Sequence, residues 1–303
     1  MPQITANGIE IEYEAHGDPA HPPLLLVMGL GAQMTLWPIE LIDALTARGY
    51  YVIRYDNRDI GLSEKFGHAG VPDVRKVALM KLFGLRPKLA YRLADMAADA
   101  ADLLRVLGID KAHVVGASMG GMIVQLLAAN HPEKVLSLTS VMSTTGNRRL
   151  PKPRPEALKA LMGRPPAEAT LEQVVPIVIN VSRAIGSPAY PATPDELRDR
   201  LGRSIRRAYT PAGTARQLLA IIASGDRRKL LRTIKAPTLV IHGAADPLVP
   251  LAAGSDTAQN IPGAELLVID GMGHDFPEAL MPKLAQAIAS HCDQYVVPAP
   301  GTS

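Results

Sequence analysis

Hydrophobic and polar positions change rhythm along the chain. Near the start they alternate, with Ile9, Ile11 and Tyr13 pointing one way and Glu10, Glu12 and Glu14 the other. A period of two predicts a half-exposed antiparallel strand, and Ile4 opens an earlier partner strand. From residue 24 the alternation gives way to predominantly apolar runs at 24–28, 51–55, 113–115, 135–142, 238–241 and 266–269. Such runs predict strands buried on both faces. Between them apolar residues fall at helical spacing, over 38–47, 93–107, 120–130 and 278–290. In the second of these Leu93, Met96, Ala97, Ala100, Leu103, Leu104 and Leu107 make one stripe, and Gly108 ends it. Buried strands alternating with helices predict an α/β fold. Its central sheet is mostly parallel and flanked by helices, with the polar first strands as an antiparallel edge.

Two segments break the alternation. Residues 66–91 are basic and apolar, with Val74, Val77, Leu79, Met80 and Leu82 at roughly helical spacing. We expect this insertion to pack over the core rather than lie on a membrane surface. Residues 145–229 carry Pro151, Pro153, Pro155, Pro165 and Pro166 and then helical patterns, with no buried strand. Thr193 is placed as an N-cap, Pro194 takes the first helical position and Glu196 completes a capping box, for a helix reaching to about residue 209. The organisation expected is a core of 1–144 and 230–303 with a helical cap, 145–229, inserted between two core strands. The tail 298–303 is expected to fray.

Bulk properties narrow the class. A chain of 303 residues accommodates one catalytic core plus an inserted subdomain. The net charge of +3 has both signs interspersed, which argues against nucleic acid or an anionic membrane as a partner. Arg203, Arg206 and Arg207 read as a solvated helix face. A lone cysteine, Cys292, excludes an intramolecular disulfide and disfavours a cysteine metal site. There is no basic leader with a cleavage signature and no apolar run of membrane-spanning length. The expectation is a soluble, cytoplasmic protein without stable membrane insertion.

The chemistry gathers at Gly116-Ala117-Ser118-Met119-Gly120, between a buried strand and a helical run. A serine on a sharp strand-to-helix turn is backbone-strained, and its neighbours two positions away approach each other too closely for a Cβ. The serine then lies at a helix N-terminus, which favours developing negative charge. It needs a base. Of eight histidines, His274 directly follows the last buried strand, on the same sheet edge as Ser118. His16, His21, His68 and His291 lie in polar or terminal stretches, and His131 looks like a helix cap. His113 and His242 read as core or strand-end residues. The base needs an acid. Asp246 follows the strand 238–241, whereas Ser143, Thr144, Thr145 and Gly146 after the earlier strand offer no carboxylate. Asp270 is too close to His274 in sequence, and Asp275 is expected to face solvent or cap the next helix. Oxyanion donors are expected from the backbone N–H groups of Met119 and Leu30, the latter in the Met28-Gly29-Leu30-Gly31 loop. No metal or organic cofactor is implied.

These motifs, in this order, resemble the α/β-hydrolase superfamily from about residue 9 to residue 291. They are the Met28-Gly29-Leu30 loop, the Asp56-Asn57-Arg58-Asp59-Ile60-Gly61-Leu62-Ser63 segment, the Ser118 turn, the run 243–250 and the run 271–274. Val27-Met28-Gly29 with Leu36-Trp37-Pro38, and Tyr55 before Asp56, look like the branch containing aclacinomycin methylesterase. Met28 stands where many superfamily members have a histidine, which leaves the backbone donors in place. The resemblance implies a serine hydrolase that cleaves carboxylic esters beneath a helical cap, acting on a small-molecule ester. The cleft is expected to be apolar and lined in part by Trp37, Met119 and Phe276. Other activities of the same fold stay open, namely thioester and lactone cleavage, a cofactor-free perhydrolase or haloperoxidase, and a carbon–carbon bond hydrolase. A ligand-binding receptor without turnover is the reading from outside enzymology.

Overall fold

A computed structural model of the chain describes residues 2–70, 73, 79–80, 83–85, 89–163 and 170–295. Eight strands form one sheet: β1 (Gln3–Ala6), β2 (Ile9–His16), β3 (Pro23–Val27), β4 (Tyr51–Tyr55), β5 (Ala112–Ala117), β6 (Val135–Val141), β7 (Thr238–Gly243) and β8 (Glu265–Ile269). Their spatial order is β1-β2-β4-β3-β5-β6-β7-β8. The pairs β1·β2 and β2·β4 are antiparallel and all the others parallel, so the mixed sheet predicted from the pattern is found.

The helices are α1 (Ile39–Thr46), α2 (Leu93–Val106), α3 (Met119–Asn130), α4 (Pro155–Met162), α5 (Leu171–Ile185), α6 (Pro194–Arg207), α7 (Pro211–Ser224), α8 (Arg228–Leu231), α9 (Leu251–Asn260) and α10 (Met281–Asp293). The central strands read as unbroken apolar runs because each of their two faces meets a different helical layer. In β3, Leu25 and Val27 join Leu103 of α2 and Ile123 of α3 in one cluster. Leu24 and Leu26 join Leu41 of α1 and Leu284 of α10 in another. Side chains alternate across a strand, so a strand covered on both faces is apolar at every position. Helix α3 sits against the centre of the sheet and is buried from Met119 to Ala128.

From α4 to α7 the chain between β6 and β7 is helical, with no strand among its described residues. Thr193 caps α6 as expected: its Oγ1 accepts from Glu196 N–H (3.3 Å), and Glu196 Oε2 accepts from Thr193 N–H (2.7 Å). These helices carry a small apolar cluster of their own, Ile179, Leu197 and Leu201.

Four expectations are corrected. Glu12 does not face solvent with Glu10. It is buried, because an arginine of α6 lies over it, with Arg207 Nη2 3.7 Å from its carboxylate. Strand β8 is the edge of the sheet, so Leu266 and Val268 are exposed rather than buried. The last helix begins at Met281, after a 3-10 turn at Glu278–Leu280. In the insertion 66–91, Leu79 (56 % exposed) and Phe83 (71 %) do not pack over the core, although Phe66 and Tyr91 at its two ends stack with ring centroids 5.2 Å apart. Val74, Val77, Leu82, Pro165, Pro166 and the tail 298–303 lie outside the described residues. Among the described residues no helix is long and apolar enough to cross a membrane.

The inserted helices are fastened to the core by buried ion pairs. Asp56 accepts from Arg207 Nη1 (2.6 Å) and from the N–H groups of Met34 (2.8 Å) and Leu62 (2.9 Å). Arg207 is therefore not part of a solvated face, although Arg203 and Arg206 are exposed. Asp59 takes Arg216 on both oxygens (2.7 and 2.8 Å), with Tyr91 hydroxyl (2.7 Å) and Phe66 N–H (2.8 Å). Burial works to raise the Asp59 carboxyl, but Arg216, Tyr91 and Phe66 together overcome it and hold the group below its ordinary 3.8. A carboxyl depressed in the folded state contributes stability that is complete above the unfolded value and is lost as pH falls through the folded one. Asp59→Asn strands Arg216 and should cost about 3–5 kcal/mol at neutral pH. Its urea midpoint should then fall less steeply than that of wild type as pH drops below about 5. Parallel pH profiles for the two proteins would remove Asp59 from the acid transition.

Candidate active site

The loops at the carboxyl edge of the sheet bring Ser118, Asp246 and His274 together. Ser118 stands between β5 and α3 with φ +56° and ψ −116°, a conformation that L residues rarely adopt. The turn is possible because its flanks lack side chains. A Cβ on Gly116 would lie 2.2 Å from Gly120 O, and one on Gly120 would lie 2.0 Å from Val27 O. Ser118 N–H donates to Val141 O (2.9 Å), and Ser143 Oγ donates to Ser118 O (2.7 Å). Backbone pairing on both sides therefore holds the strain in place.

Ser118 Oγ lies 3.0 Å from His274 Nε2, and His274 Nδ1 lies 2.7 Å from Asp246 Oδ2. A carboxylate can only accept, so Nδ1 carries the proton and Nε2 is left to accept from the serine hydroxyl. The other oxygen of Asp246 accepts from the N–H groups of Leu248 (2.9 Å) and Val249 (2.8 Å). His242, read as a strand-end residue, is fully buried, and its Nε2 donates to Val249 O (2.8 Å). Burial pushes the His242 imidazole below its ordinary range, against the pull of Val249 and Asp246. A neutral His242 thus braces the loop that carries Asp246.

Met119 begins α3, and Leu30 lies in the loop after β3. Among the described residues neither backbone N–H has a hydrogen-bond acceptor. The Leu30 loop is held from outside: Asn57 Nδ2 donates to Met28 O (2.9 Å), and Gly31 N–H donates to Gln217 Oε1 (2.9 Å). A cavity of about 450 Å³ opens onto Ser118 and His274, within the range of small-molecule sites. Its walls are mostly apolar, including Leu30, Met142, Leu150, Leu218 and Ile221, with Arg200 and Asp275 as charged members. Phe276 lines it as expected, but Trp37 does not. Trp37 is 1 % exposed and stacks behind Phe276, with centroids 5.0 Å apart, facing a separate, wider cleft of about 880 Å³ that excludes Ser118. Met119 is also absent from the cavity and is fully buried in the core cluster that includes residues of α2. Asp275 is only partly exposed and caps no helix. It accepts from Ser187 Oγ at 2.5 Å. Among the described residues no cluster of three metal-ligating side chains occurs.

A family model described as the alpha/beta hydrolase fold matches residues 22–278. The chain belongs to the alpha/beta hydrolase fold family. It is 31% identical to a rhodomycin D methylesterase of Streptomyces sp. (strain C5) over 315 residues, covering 95% of this chain and 96% of that one. A rhodomycin D methylesterase of Streptomyces peucetius is likewise 31% identical over 309 residues, with 95% and 96% covered. Among solved structures, a meta-cleavage product hydrolase from Pseudomonas fluorescens IP01 superposes with a TM-score of 0.76 at 21% identity, covering 97% of this chain and 98% of that one. At that identity the superposition speaks for the hydrolase fold alone.

Several residues that shape this hydrolase site escape the sequence reading. Asn57 belongs to a recognised motif, yet nothing local says that it reaches Met28. Gln217, Ser187 and Ser143 have no signal at all, since each acts on a loop that only folding brings near. The strain at Ser118 yields a direct prediction. Ser118→Gly removes the Cβ that disfavours the left-handed turn, so it should unfold at higher urea than Ser118→Ala, by about 1 kcal/mol. Equal midpoints would show that the elbow stores no strain.

Proposed function

We propose that this chain hydrolyses carboxylic esters through an acyl-enzyme intermediate on Ser118. The observation that carries the reading is the hydrogen-bond chain from Ser118 through His274 to Asp246, opening onto an apolar cavity. Relatives named as methylesterases, matched along nearly the whole chain, support an ester as the bond cleaved. The substrate is then a small molecule with a small to medium apolar acyl group, or a methyl ester. Residues 145–229 act as a cap over a core of 1–144 and 230–303.

Each step follows from the parts. Ser118 attacks the acyl carbon while His274 Nε2 takes its proton, and Asp246 keeps the imidazole in the reactive tautomer and stabilises the imidazolium. Charge developing on the carbonyl oxygen is met by the N–H groups of Met119 and Leu30, which have no acceptor of their own among the described residues. Met119 also stands at the N-terminus of α3, where the helix dipole adds to the attraction. His274 then protonates the leaving alcohol and activates water to release the acid. Apolar walls exclude bulk water and strengthen these charge interactions.

The test is turnover of p-nitrophenyl butyrate and of a methyl ester series. Ser118→Ala and His274→Ala should each lower kcat by about 10³- to 10⁶-fold with circular dichroism unchanged. Wild-type turnover in either variant would refute the assignment. Activity confined to strongly charged esters would overturn the apolar substrate class.

A further inference from the structure

Neither Ser187 nor Asp275 has a part in the steps above, yet both bind the loop that carries the base. The connection between α5 and α6 runs beside residues 271–275. His274 N–H donates to Ile185 O (2.7 Å), and Ala189 N–H donates to Gly271 O (3.3 Å). Gly273 N–H donates to Ser187 Oγ (2.7 Å), and Ser187 Oγ donates to Asp275 Oδ1 (2.5 Å). The two segments are in close contact: a Cβ on Gly273 would lie 2.4 Å from Gly186 O, and one on Gly271 would lie 2.3 Å from the Ala189 Cβ.

Ser187 is buried, with 3 % of the residue exposed. Its hydroxyl has one proton and two lone pairs. Asp275 takes the proton, which leaves a lone pair for the N–H of Gly273, the residue immediately before His274. Both partners of the hydroxyl thus flank the base, one on each side in sequence. Removing the hydroxyl leaves the buried N–H of Gly273 without its partner and takes one donor from the part-buried Asp275 carboxylate, and such groups recover partners by moving.

We propose that Ser187 and Asp275 are positioning residues that lock the His274 loop to the inserted helices, so that the base keeps its aim at Ser118 only while those helices are seated. The inference rests on His274 serving as the base. Ser187 is the cleaner probe, because it borders an adjoining cavity and not the one that holds Ser118, whereas Asp275 borders both. A base displaced by a fraction of an ångström loses rate, not substrate binding.

The experiment compares wild type, Ser187→Ala, Asp275→Ala and the double variant. Each is assayed on p-nitrophenyl butyrate and by proton NMR of the downfield resonance of the His274 Nδ1 proton. Ser187→Ala should lower kcat by about 10- to 100-fold, hold KM within about threefold, and broaden or shift that resonance. The double variant should be no slower than the slower single variant, because the two residues act as one unit. Ser187→Ala with wild-type kcat and an unchanged resonance would overturn the proposal, even if its melting temperature fell. So would kcat losses that multiply in the double variant. If wild type itself fails to turn over esters, the ester reading falls, while the resonance still decides the clasp.

Discussion

Asp56 and Asp59 are carboxylates with no access to solvent at the carboxyl end of β4, and their counter-charges come from α6 and α7. Removing one member of such a pair leaves the other charged and buried, which is far more costly than the pair is favourable. The inserted helices therefore cannot lift from this edge without exposing or stranding four charges. Between the two aspartates, Asn57 holds Met28 O, and Arg58 O accepts from Gln217, whose other end accepts from Gly31. The loop that carries Leu30 is thus suspended inside the same network. Seating of the helices and the shape of the candidate oxyanion site are one electrostatic arrangement.

The sheet was legible because its cause is local in sequence: a strand covered on both faces is mostly apolar, and β3 to β7 are, their few polar positions such as Arg54, His113, Ser137 and His242 being buried as well. Order along the chain and the carboxyl-edge rule pointed to Ser118, Asp246 and His274 among many candidates, and the structure places His274 within hydrogen-bond reach of both of the others. What the pattern misjudged depends on partners far away in sequence. Arg207 reads as solvated because its neighbours Arg203 and Arg206 are, and Asp56 lies 151 positions away. Glu12 reads as exposed by alternation, yet the same arginine covers it. Trp37 reads as a pocket residue from its motif, but Phe276 stands in front of it. Rank in a pattern tells which side of an element a residue takes, not what the rest of the chain places there.

The three parts of the site are held in different ways. Ser118 is fixed by the core itself, through backbone pairing to β6 and the absence of Cβ atoms at Gly116 and Gly120. The Leu30 loop is fixed by the end of α6 and the middle of α7 through Gln33, Arg207 and Gln217. The His274 loop is fixed by the connection between α5 and α6. Two of the three thus depend on the inserted helices, one at each side of the cavity that those helices also wall. A serine beside an imidazole is inert without correct aim and a prepared site for charge, and the loops proposed to supply both are tied to the segment that walls the cavity. An insert that only covered the site would need none of these polar ties to the loops beneath it. Their number and burial support the proposed role of the insert in setting that geometry.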